Sequence, residues 1–91
     1  MITIDRIDRH TADITIDTLA IAGVPINTWR EGGGPGFPSF DAVTVDWPAV
    51  DRAALPAQLV EALADADANQ RLDEPLQDAY ADFMRDAYAN Y

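Results

Sequence analysis

The sequence predicts an α+β fold, in which a small antiparallel β-sheet of three to four short strands from the N-terminal half packs against two C-terminal α-helices. Three observations carry this. Up to residue 46 apolar and polar residues alternate, the period of a strand with one buried face. From residue 47 onward apolar residues recur at three- and four-residue spacing, the period of a helix face. The two patterns occupy separate halves of the chain without interleaving, so no βαβ unit is expected. A length of 91 residues fits one compact domain, 1–91, with a β-meander over 1–46, a Gly/Pro loop at 31–38 and a helical part over 47–91.

In the first part, Ile2 and Ile4 alternate with Thr3 and Asp5, and the same tetrapeptide returns as Ile14, Thr15, Ile16 and Asp17. β-Branched residues thus line one face and polar residues the other. The polar segment Asp8 to Asp13 between them reads as a hairpin loop. After Asp17 the apolar positions shift to Leu19 and Ile21, which predicts a bulge or the end of a strand. Gly23 and Pro25 punctuate the chain next. Val24, Ile26, Thr28 and Trp29 are predicted to form a short edge strand, where proline is tolerated. Residues 32–38, Gly-Gly-Gly-Pro-Gly-Phe-Pro, read as loop, and Val43 and Val45 around Thr44 as a last short strand.

Asp46-Trp47-Pro48 marks the switch to helix, with Asp46 or Trp47 at the cap and proline in the first turn. Pro56 divides residues 48–66 into a short helical turn and a helix starting at Leu55-Pro56, with Leu59, Val60 and Leu63 as its apolar stripe. The last helix is predicted over 74–89. Asp73 caps it, Glu74 and Pro75 fill the first turn, and Leu76, Tyr80, Phe83, Met84, Ala87 and Tyr88 recur at helical spacing.

Six basic residues, all arginine, face sixteen acidic ones, thirteen of them aspartate, for a formal charge of -10 and a pI near 4.1. Such an excess repels phosphates, which argues against direct nucleic-acid binding. Without cysteine there is no disulfide framework, zinc knuckle or thiol nucleophile. Apolar runs such as Leu19 to Ala22 fall far short of the roughly 20 residues that span a bilayer. The first residues lack the basic-then-apolar order of a signal peptide, so a cytoplasmic protein without a membrane association or cofactor is expected. Apolar residues at 48% and charged residues at 24% are ordinary globular usage, so the chain folds. The lack of lysine and the sixteen alanines fit genomic base composition or a salt-rich habitat as well as function. Charge is nonetheless uneven: residues 1–30 sum to -1, residues 31–60 to -3 and residues 61–91 to -6.

Within that last third, Glu74, Asp78, Asp82 and Asp86 stand at strict i, i+4 spacing. On a helix they form a ridge about 18 Å long, opposite the Leu76, Tyr80, Phe83 stripe. Like charges at this spacing cost roughly 0.2–0.5 kcal/mol per pair, so either solvation permits the ridge or a basic partner requires it. One DNA strand shows a phosphate about every 3.4 Å, roughly twice the linear density of the ridge, so imitation of nucleic acid needs Glu61, Asp65 and Asp67 as neighbours.

Asp65 to Leu76 resembles an EF-hand calcium loop. Asp65, Asp67, Asn69 and Asp73 supply oxygens at its first, third, fifth and ninth positions, and Leu72 the apolar eighth. It departs from that family at Gln70, where glycine makes the sharp turn, and at Leu76, where glutamate binds bidentately. No metal site is therefore assigned, and the segment is read as a polar, capped interhelical turn in which those four residues are the only metal candidates.

The Gly-rich loop lacks the Lys-Ser/Thr pair of a phosphate cradle and instead displays Phe37 and Phe40 for contact with a partner. Trp29 and Trp47 flank it as expected core anchors. The single serine, Ser39, and single histidine, His10, have no context joining them, so no catalytic residue is assigned. These features point to a small acidic, non-enzymatic binding protein whose helical face occupies a basic surface of a nucleic-acid-handling protein. Size and charge resemble phage-encoded inhibitors of host defence, including anti-CRISPR proteins, and some antitoxins and immunity proteins. The alternatives are an EF-hand-like metal-responsive module and a structural or assembly subunit.

Overall fold

The computed structural model describes residues 1–89. Along the chain come β1 (Ile2–Ile7), β2 (Thr11–Ile16), β3 (Leu19–Glu31), β4 (Phe40–Val45), a 3₁₀ turn at Trp47–Ala49, α1 (Ala57–Ala68) and α2 (Asp73–Ala89). The four strands form one antiparallel sheet in the order β1-β2-β3-β4, and the two helices come after it, which is the α+β arrangement the sequence predicts.

Alternation holds in β2. Ala12, Ile14 and Ile16 are buried while Thr11, Asp13 and Thr15 turn outward. The loop between β1 and β2 is shorter than expected, because Thr11, Ala12 and Asp13 already belong to β2. Asp8 makes this short turn possible. Its carboxylate accepts the N–H groups of His10 and Thr11, both at 2.8 Å, and stands in for the backbone bonds of a longer loop. At the next reversal Asp17 and Thr18 alone link Ile16 to its partner Leu19, with Asp17 at φ 56°, a left-handed conformation that aspartate tolerates.

β3 departs most from expectation. It is an interior strand of 13 residues, not a short edge strand, and it passes through both Gly23 and Pro25. Gly23, at φ +66°, sits in a bulge where Asp13 faces both Ala22 and Gly23, and the Asp13 carboxylate accepts the Gly23 N–H at 2.8 Å. Pro25 lies where the strand changes neighbour. Residues 19–25 pair with β2, and residues 26–31 pair with β4. The missing proline N–H therefore falls at the seam between two ladders, while its carbonyl accepts from Asp46 N–H at 2.9 Å.

The inner face of the sheet carries Ile14, Ile16, Ile21, Val24, Ile26, Val43 and Val45 into a single core with Leu63 and Ala66 of α1 and Leu72, Leu76 and Tyr80 at α2. α1 rests on β2 and β3, and α2 reaches the two edge strands β1 and β4. Pro56 starts α1 as expected, with its carbonyl accepting the Val60 N–H. α2 begins one residue early. Leu72 provides the first helical carbonyl, bonded to Leu76 N–H, so Asp73 lies inside the first turn and not at the cap. Its apolar stripe is buried or half-buried from Leu76 to Met84, whereas Tyr88 is exposed.

Candidate functional site

The α2 ridge is where the helical period puts it. Glu74, Asp78, Asp82 and Asp86 are exposed, and Leu76 and Tyr80 on the other side are buried. Its charge is not evenly free. Asp82 is paired with Arg85 at 2.6 Å, while Glu74 and Asp78 have no cationic partner among the described residues. The N-terminal half of the ridge is thus not ion-paired, at the end of the helix whose dipole favours anions, and Arg71 lines the groove beside it. Grooves open on both sides of it. One, of about 410 Å³, is lined by Ile2, Gln70, Arg71, Glu74, Pro75 and Asp78. The other, of about 370 Å³, runs between α2 and the β3–β4 hairpin and is lined by Asp78, Gln77 and Ala81 with Arg30, Phe40 and Asp41. Asp78 borders both.

The three acidic neighbours on α1 do not act alike. Glu61 and Asp65 are exposed. Asp67 is half-buried and accepts the indole N–H of Trp47 at 2.7 Å, a bond that ties the 3₁₀ turn to α1. Arg52 completes this corner, with its guanidinium carbon 5.0 Å from the centroid of the Trp47 ring, within cation–π range.

The twelve residues that resemble an EF-hand do not form a calcium loop. Asp65 and Asp67 still belong to α1 and Asp73 to α2, so only residues 69–72 turn. Asn69 bonds back to the Asp65 carbonyl at 2.9 Å. Gln70 takes a φ of 58°, Gln70 N–H bonds the Asp67 carbonyl, and Arg71 N–H bonds the Ala66 carbonyl. These are the paired bonds of a Schellman helix end, which a left-handed Gln70 supplies in place of glycine. Oxygens fixed on two helices and a tight turn cannot wrap an ion as a flexible loop does. Among the described residues no group of three or more His, Asp or Glu side chains is placed to hold a metal ion.

Residues 26–31 and 40–45 form a two-stranded arm beyond the three-stranded part of the sheet, and every residue from Arg30 to Phe40 is exposed. Phe37 lies in the loop as expected, but Phe40 is the first residue of β4, because it pairs with Glu31. Trp29 is a further correction. It pairs with Ala42 on the arm and is 42% exposed, not a core anchor. Parity decides this: once Ile26 points inward, Thr28 shares its face and Asn27, Trp29 and Glu31 point out. The Trp29 indole N–H donates to Glu31 at 2.7 Å. From the sequence Trp29 reads as a core anchor and Glu31 carries no role, although counting in twos from Asn27, the outward neighbour of Ile26, reaches both.

At the opposite end of the sheet Arg6 bonds Asp8 at 2.8 Å and Asp13 at 3.2 Å. The Arg6 guanidinium, with the His10 and Thr11 N–H groups, holds the Asp8 carboxyl far below the usual carboxylate range. The Gly23 N–H, then Arg6, lowers that of Asp13. This cluster fastens the β1–β2 hairpin and the bulge. His10 lies in the β1–β2 turn and Ser39 immediately before β4. Among the described residues no helix is long and apolar enough to cross a membrane. Comparison of the chain with protein-family models, curated proteins and solved structures finds no match.

Proposed function

We propose that this chain is a non-enzymatic binding protein whose acidic α2 face occupies a basic protein surface of the kind that handles nucleic acid. The observation that carries this is the row Glu74–Asp78, exposed, without a cationic partner among the described residues and bordered by a groove on each side. Complementary fields of this kind accelerate encounter and make affinity fall with salt. Asp82, Asp86, Glu61 and Asp65 widen the negative field around that row. Asp67, half-buried with one carboxylate oxygen held by Trp47, adds charge to that field. Inhibitors and antitoxins that block nucleic-acid-handling proteins are the class this chemistry fits.

The test is affinity capture from the native host at about 50 and 500 mM salt, a range over which screening shortens several-fold. The native chain and a variant carrying Glu74→Arg, Asp78→Arg and Asp82→Arg are compared. The expected result is a basic protein held by the native chain, released by salt and missed by the variant. Equal capture by the two chains at both salt concentrations would contradict it.

A further inference from the structure

The two tryptophans of this chain hold their indoles in the same way. Each donates its ring N–H to a carboxylate at 2.7 Å, Trp47 to Asp67 and Trp29 to Glu31. At Trp47 the chain adds a third group, the Arg52 guanidinium, 5.0 Å from the ring centroid. At Trp29 no cation among the described residues stands over the ring. The neighbouring Arg30 is on the opposite face and engages Asp41 at 3.3 Å. Glu31 has no cationic partner among the described residues. Phe40, directly across from Glu31 and diagonal to Trp29 in the strand register, is 46% exposed and also borders the groove toward α2. Diagonal cross-strand neighbours lie about 7–8 Å apart, which leaves room for a flat group between two rings.

We infer that the outer face of the β3–β4 arm is a seat for an arginine side chain of a basic partner, taken between Trp29 and Phe40 with Glu31 as its counter-ion. It deepens the proposed function, on which it rests for the charge of the partner, by naming the side chain recognised and placing it on a second surface. Guanidinium suits this site for two reasons. Its plane stacks on an indole while its N–H fork reaches a carboxylate, and it is more weakly hydrated than an ammonium. At the Trp47 corner the same three kinds of group meet within one chain, with Arg52 over the ring and Asp67 at the ring N–H. Net charge favours the occupant as well, since the chain carries -10.

The experiment is an NMR titration of the native chain with the acetylated, amidated peptide Arg-Gly-Arg-Gly-Arg, and with its citrulline counterpart, which keeps the shape and removes the charge. The two indole N–H signals are told apart by Trp29→Phe. The expected result is a saturable shift of the Trp29 signal by the arginine peptide, none by the citrulline peptide, and a Trp47 signal that stays in place. Glu31→Gln keeps an acceptor for the indole and so preserves the arm. It is expected to weaken binding about two- to fivefold, as is Trp29→Ala, whose binding is read on the backbone amides of residues 29–31 and 40–42. A Trp29 signal that does not move while the amides of residues 74–82 do overturns this inference and leaves the α2 reading standing. A Trp29 shift with those amides unmoved supports the inference and counts against α2. Equal shifts of both indoles, or the same response to citrulline, also overturn it.

Discussion

Trp47 and Trp29 both give an indole N–H to a carboxylate at 2.7 Å, yet one stands at a corner between two elements and the other on the outside of a two-stranded arm. At the corner, Asp67 belongs to α1 and the indole to the 3₁₀ turn, so the bond spans 20 residues and fastens the linker to the helix. On the arm, Trp29 and Glu31 are two residues apart on one strand, so their bond fastens nothing distant. It fixes the plane of an exposed ring. Identical local chemistry thus serves cohesion where it links distant parts of the chain, and presentation where it does not.

The largest test of this contrast is truncation of each ring. Trp47→Ala is expected to lower the unfolding free energy by about 2–4 kcal/mol, because a half-buried ring, its hydrogen bond and its cation contact are lost together. Trp29→Ala should cost less than about 1 kcal/mol, as an exposed strand position does. Denaturant unfolding measures both, and equal losses would break the contrast. Next in size, Asp67→Ala leaves the Trp47 N–H without its acceptor and should cost about 1 kcal/mol, whereas Glu31→Ala stays within about 0.5 kcal/mol. Arg52→Ala removes the cation over the ring and should cost about 0.5 kcal/mol in the same assay.

The ridge is expected to move the other way. Asp78→Asn relieves its like-charge spacing to Glu74 and Asp82 and should raise stability by about 0.3–0.5 kcal/mol in low salt, a gain that fades near 1 M. A loss in low salt would mean that Asp78 serves the fold. The smallest effect belongs to the Arg6 cluster. Asp8 and Asp13 have folded-state pKa values below their unfolded ones, so the unfolded chain binds more protons between the two. Their contribution is present above about pH 4 and is lost as the pH falls below it. Thermal melts of Asp8→Asn should therefore decline less steeply than those of the native chain between about pH 4 and pH 2, a window set by the ordinary carboxylate pKa.

Much of the fold was legible because the period of apolar residues and the position of proline are local facts. Ile14 and Ile16 alternate, Pro56 starts α1, and Leu76 to Met84 mark the buried face of α2. What escaped depends on partners distant in sequence. Gly23 and Pro25 read as breaks, yet Asp13 anchors the one in a bulge and a change of neighbouring strand accommodates the other. The acidic run at 65–76 has calcium-loop spacing, but a Schellman turn spends only four residues on the reversal. The ridge was legible down to the residue, since i, i+4 spacing on a helix leaves little freedom. The pairing of Asp82 follows from the same spacing, since Arg85 stands three residues further along the helix.

The central claim is that this protein meets a basic partner through the Glu74–Asp78 row and the outer face of the arm, while the Trp47 corner stays internal. Hydrogen–deuterium exchange of the chain, alone and bound to the salt-released partner, tests it most directly. The expected result is protection in residues 29–40 and 74–82 with exchange unchanged in residues 47–51. Protection confined to β1, β2 and the exposed side of α1 would contradict it.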